Sequence, residues 1–115
     1  MKNITEFAKK PKLIKVEINK PDIVEEYGSE IIFWIYDNID INTYFDFFKS
    51  QTQEDGEKLN LILRRLIKNE QGEQAIADDH ILPIDLTLAS ITAISEILGK
   101  SKTKPSTQEA GNQPT

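Results

Sequence analysis

Cysteine is absent from this chain of 115 residues. Disulfides, thiol catalysis and thiolate-held metals are therefore excluded, and a reducing compartment fits. Histidine occurs once, at His80. It follows Asp78 and Asp79, but neighbours in sequence rarely converge on one ion, so a polar loop is the ordinary reading. The five glycines stand singly at 28, 56, 72, 99 and 111, which excludes a glycine-rich phosphate loop. Ser29, Ser50, Ser90 and Ser95 lack the context of a nucleophile elbow. Long apolar runs are missing too. The longest, Ile31 to Tyr36, is far too short to cross a bilayer. Phe7 is followed by Ala8, Lys9, Lys10 and Pro11, so no signal-peptide core is expected near the start. No catalytic, metal-binding or cofactor-binding residue emerges, and an enzyme is the least expected class.

Apolar residues make up 38% of the chain and charged residues 29%, enough for a modest core. The net charge of −5 is unevenly spread. Residues 1–20 carry six lysines against Glu6 and Glu17, whereas 21–99 hold five basic and sixteen acidic residues, a net of −11. Such a body repels nucleic-acid phosphates. The basic ends read as solvated arms or as partners for acidic surfaces.

Periodicity organises the middle of the chain. Ile14, Val16 and Ile18 alternate with Lys15 and Glu17, the period of a half-buried strand. Pro21 to Tyr27, closed by Gly28, fits either a short helix or a wide connection. Ile31 to Tyr36 predicts a second strand with both faces apolar: Ile31, Phe33 and Ile35 on one, Ile32, Trp34 and Tyr36 on the other. Such a strand is either sandwiched or covered by another subunit, so a homo-oligomer stays open.

Asp40 or Asn42 is expected to cap a helix whose stripe is Ile41, Tyr44, Phe45 and Phe48, with Phe47 off it. A second helix is expected to begin at Thr52 and to bury Leu59, Ile62, Leu63, Leu66 and Ile67. A third opens at Pro83, faces the core with Ile84, Leu88, Ile91, Ile94 and Leu98, widened by Leu86, Ala89, Ala93 and Ile97, and stops at Gly99. The expected architecture is α+β: a small N-terminal antiparallel sheet or hairpin, then three helices. A flexible arm (1–11) precedes a single domain (12–99). A tail (100–115) rich in Ser, Thr, Lys, Gln, Gly and Pro is expected to be disordered.

Seven aromatics, Phe33, Trp34, Tyr36, Tyr44, Phe45, Phe47 and Phe48, fall within sixteen residues. Most are expected to form a core nucleus. Large exposed aromatics anchor interfaces, and Ile32, Trp34, Tyr36 and Phe47 are the candidate protein-binding residues.

Three stretches carry a resemblance. Pro21-Asp22-Ile23-Val24-Glu25-Glu26-Tyr27-Gly28, Ile31 to Tyr36, and Thr43-Tyr44-Phe45-Asp46-Phe47-Phe48 resemble tail assembly chaperones of long-tailed bacteriophages. So does Leu82-Pro83-Ile84-Asp85-Leu86 leading into Ile97-Leu98-Gly99-Lys100-Ser101. The likeness spans about 12–115 and includes no catalytic motif. It implies binding to the long helical tape measure protein before the tail tube forms, and recruitment of tail tube protein. It also implies action in the cytoplasm of the infected host and absence from the finished virion. A structural tail or baseplate component and a small phage-encoded inhibitor of a host protein are the alternatives. Neither nucleic acid nor membrane is an expected partner.

Overall fold

The computed structural model describes residues 1–102. Strand β1 (Leu13–Ile18) is followed by α1 (Pro21–Tyr27), β2 (Ile31–Tyr36), α2 (Ile41–Thr52), α3 (Gly56–Leu66) and α4 (Ile84–Lys102). The fold is α+β, with a two-stranded antiparallel sheet and four helices. The expected disordered tail overlaps the last turn of α4 at 100–102 and otherwise lies outside the described residues. Within the expected flexible arm, Ile4–Glu6 make one 3-10 turn capped by Asn3, with every residue exposed.

The alternation in β1 works as expected. Ile14, Val16 and Ile18 stand opposite Ile35, Phe33 and Ile31, so one face of the sheet is wholly apolar. The connection is not a tight hairpin. Pro21, whose fixed φ suits a first helical position, starts α1. Gly28 ends it at φ 81°, and its N–H donates to the Val24 carbonyl at 2.8 Å. This left-handed conformation is the one glycine adopts without steric cost. Of the two readings open for this segment, the helix is the one realised.

Asp40 caps α2, accepting from the Thr43 backbone N–H at 3.3 Å and the Thr43 hydroxyl at 2.6 Å. The expected start of the next helix at Thr52 is corrected: Thr52 closes α2, and Asp55 caps α3 by accepting from Lys58 N–H at 3.2 Å. The turn between them is a Schellman motif. Asp55 N–H donates to the Ser50 carbonyl at 2.9 Å, and Glu54 N–H donates to Gln51 at 3.2 Å. Glu54 occupies the left-handed position at φ 54°, where glycine is usual.

The expected stripe on α3 is met by buried Ile62, Leu63, Leu66 and Ile67 and half-buried Leu59. Gly99 does not stop α4, which runs on to Lys102. Its buried line is Leu86, Ala89, Ser90, Ile94 and Leu98, whereas Ile84 and Leu88 point to solvent. These two corrections mean that part of the apolar face of α4 is left uncovered.

Helix α1 packs against β2, α4 against β1, and α2 against α3. The buried apolar side chains form one continuous cluster from Val16 to Leu98. Tyr27 ties α1 to α4, its hydroxyl donating to Asp85 at 2.8 Å. Among the described residues, no helix is long and apolar enough to cross a membrane.

Candidate protein-binding surface

The two faces of β2 have different fates. Ile31, Phe33 and Ile35 turn toward the helices, where Phe33 and Ile35 are buried. Ile32, Trp34 and Tyr36 share the opposite face, paired across the sheet with Glu17, Lys15 and Leu13. The polar side of β1 thus meets the apolar side of β2. Lys15 and Glu17 lie 3.8 Å apart and are half in solvent, an arrangement worth little in stability.

A loop covers one end of this outer face. After α3, Ile67 becomes extended and Lys68 joins the free edge of β2. Trp34 N–H donates to Lys68 O at 3.1 Å, and Lys68 N–H donates to Trp34 O at 2.7 Å. Lys68 also bridges Gln74, so the chain doubles back. The Asn69 side-chain oxygen holds the turn, accepting from Gln71 N–H at 2.9 Å and Glu73 N–H at 3.0 Å. Gly72 then lies over Tyr36 at φ 83°, and a Cβ there would sit 2.7 Å from the Tyr36 hydroxyl. Tyr36 and Trp34 end half-buried, while Ile32, beyond the loop, is 46% exposed.

Of the four candidate residues, the structure brings Ile32, Trp34 and Tyr36 onto one face and removes Phe47. Phe47 is 0% exposed and belongs to the core, its ring edge-on to Phe48 at 5.2 Å. The expected stripe on α2 is corrected in part. Tyr44 and Phe48 pack half-buried against the core, but Thr43, Phe47 and Ser50 form its fully buried side, and Ile41 and Phe45 face solvent. Local hydrogen bonding explains how Thr43 and Ser50 come to be buried. Ser50 donates to the Phe47 carbonyl at 3.1 Å and Thr43 to Asp40, so both hydroxyls are satisfied without water. A pattern based on apolarity passes over a face that carries them. The outward aromatic that sequence reasoning missed is Phe45, 58% exposed.

A second apolar area lies at the start of α4. Exposed Ile81, Ile84 and Leu88 lead into a shallow cleft of about 320 Å3, where Leu88 and Ile91 face Leu59 of α3. Their i, i+4, i+7 spacing was legible, but not that solvent would meet two of them.

Among the described residues, three titratable groups with shifted pKa values cluster at the contact of α1 with α4. Asp85 is held below the usual carboxylate range, chiefly by the Tyr27 hydroxyl. Tyr27 is pushed up to about 12 by the same bond. Glu26 is raised by the Asp85 carboxylate beside it. None of the three lines the cleft just described; Tyr27 and Asp85 fasten α1 to α4, and Glu26 opposes them. His80 lies 3.7 Å from Asp79, both largely in solvent. Among the described residues, no group of three or more His, Asp or Glu side chains could hold a metal ion.

No protein-family model, curated protein or solved structure matches the chain.

Proposed function

We propose that this chain is a tail assembly chaperone of a long-tailed bacteriophage, which binds the tape measure protein and keeps its apolar helical surface soluble until the tail tube assembles. The observation that carries the binding part of this reading is the outer face of β2. An isoleucine that is 46% exposed continues into half-buried Trp34 and Tyr36 on the partly covered outer side of a two-stranded sheet. Apolar side chains so placed gain free energy only when another surface covers them. The client and the phage setting rest on the resemblance carried by 21–28, 31–36, 43–48 and 82–101. The strongly acidic stretch 21–99 would keep a coated complex soluble. In this reading the protein acts in the cytoplasm of the infected host, engages tail tube protein next, uses no cofactor and catalyses nothing.

The test is co-expression with a candidate tape measure protein from the same genome. The parent protein should hold that client in the soluble fraction and co-purify with it, and purified virions should lack this chain by mass spectrometry. Ile32→Asp should release the client while circular dichroism shows the fold intact. Client that stays insoluble with the parent protein, or this chain in stoichiometric amount in virions, would refute the assignment.

A further inference from the structure

An acidic protein with a basic cavity poses a question of complementarity. At the end of β2 a cavity of about 610 Å3 opens between Tyr36, Ile39 and Leu66. Its floor is apolar, and Lys10, Arg65 and Lys68 stand on its walls. A neighbouring cleft of about 420 Å3 shares Lys10, Pro11 and Asn38 with it and adds Phe7, Lys9 and Lys12. Together they hold five cations against the carboxylates of Asp37 and Asp40, a local charge of +3 on a chain of −5.

Both carboxylates already accept hydrogen bonds. Asp37 accepts from the Lys12 backbone N–H at 2.9 Å. Asp40 caps α2 and is held below its usual range by Thr43. The cations are less committed. Arg64 spends its guanidinium on the His80 carbonyl, at 2.9 and 3.3 Å, but Arg65 beside it turns to the cavity. The ion pairs Lys15–Glu17, Lys58–Asp46 and His80–Asp79 involve none of Lys10, Arg65 and Lys68.

We infer that this trough is a docking site for an acidic amphipathic segment of a partner protein: a large apolar side chain enters between Tyr36, Ile39 and Leu66, and flanking carboxylates meet Lys10, Arg65 and Lys68. The two clefts run on from one another, giving a site longer than a single small molecule needs. The chain's own segment 103–115 is a poor occupant, with Lys104 and Glu109 as its charges and Ala110 as its one apolar residue. The inference rests on the reading that this protein binds other chains, and it names the chemistry of one contact.

The probe is a fluorescent peptide of about fifteen residues with leucines at helical spacing and glutamate between them. A second peptide has lysine at every glutamate position. Binding by fluorescence anisotropy at low salt should favour the acidic peptide by roughly tenfold or more, and added salt should weaken it. R65E combined with K68E should cost a similar factor and admit the lysine peptide, whereas Arg65→Lys should keep the parent preference. Circular dichroism would confirm that each variant is folded. Equal binding of both peptides, or of neither, would overturn the inference. So would decanoate binding as tightly as the acidic peptide, which would mark a small-molecule site. If charge reversal changes nothing while Ile32→Asp releases the peptide, the trough is excluded and the protein-binding reading stands. Failure of the tape measure protein to co-purify would sink that client without altering the peptide result.

Discussion

The inner and outer faces of β2 are built from the same kinds of side chain and end in opposite situations. Phe33 and Ile35 are sealed, whereas Ile32, one and three positions away along the same strand, stands almost half in water. Composition therefore does not decide burial here. What decides it is how many layers pack on the sheet, and the described residues supply helices for one side and a loop for the other. An apolar side left over in this way is a cost to the isolated protein and a resource for one that binds.

Four substitutions would break or sharpen this contrast. The largest effect belongs to the sealed side. Phe47→Ala should lose about 3–5 kcal/mol, since it deletes a ring with no exposed surface and leaves a cavity. Urea unfolding would measure it, and a loss near zero would mean that the core is not closed around this residue. Next comes the loop that half-covers the outer side. Gly72→Ala should cost about 1–2 kcal/mol for the left-handed backbone alone, and more where the new methyl meets the Tyr36 hydroxyl. Trp34, the only tryptophan, lies on the same face, so its emission should report the loop's displacement.

Third is the Tyr27–Asp85 bond that fastens α1 to α4. Asp85, with its lowered pKa, contributes stability above the ordinary carboxylate range, and that contribution is lost as pH falls through the lowered value. Tyr27 contributes below its ordinary pKa, and its contribution is lost as pH rises toward about 12. Glu26 opposes both, because its raised pKa makes its ionisation beside Asp85 unfavourable to the fold. Tyr27→Phe should therefore lower the melting temperature by a few degrees near neutrality, and the gap from the parent should narrow in strong acid and in strong base. A gap that stays constant across pH would show that the ring, and not the bond, does the fastening. The smallest effect on stability belongs to the open side. Ile32→Asn should change unfolding free energy by no more than about 0.5 kcal/mol, as for other solvent-facing positions. A loss several times larger would place Ile32 under a cover, such as a second subunit, in the free protein.

Much of this was legible in the sequence because local rules and the fold agree. Both strands and the buried stripe of α3 follow from period and punctuation, which also offered α1 and the Asp40 cap as one of two readings each. The failures have separate causes. Thr43 and Ser50 hid the true inner side of α2, because hydroxyls satisfied within a helix behave as small core residues. Glu54 hid the break between α2 and α3, since no glycine marks the left-handed turn there. Gly99 suggested a stop that α4 ignores. For the candidate surface, the strand residues could be read, but the loop that splits their exposure could not. It depends on Lys68 meeting Trp34 across many intervening residues, and no local pattern encodes that meeting.

That single meeting at Trp34 also limits how assemblies can grow. A strand of six residues with a neighbour on one edge, and its midpoint already bridged on the other, offers no stretch long enough for a further strand to align. Growth by strand addition, the route by which exposed sheet edges seed fibrils, is left only to the outer edge of β1. There Lys15 and Glu17 stand between the apolar positions, and charge at such positions discourages a like edge from pairing. A chain with apolar surface left on one side of its sheet is in this way guarded against its own polymerisation.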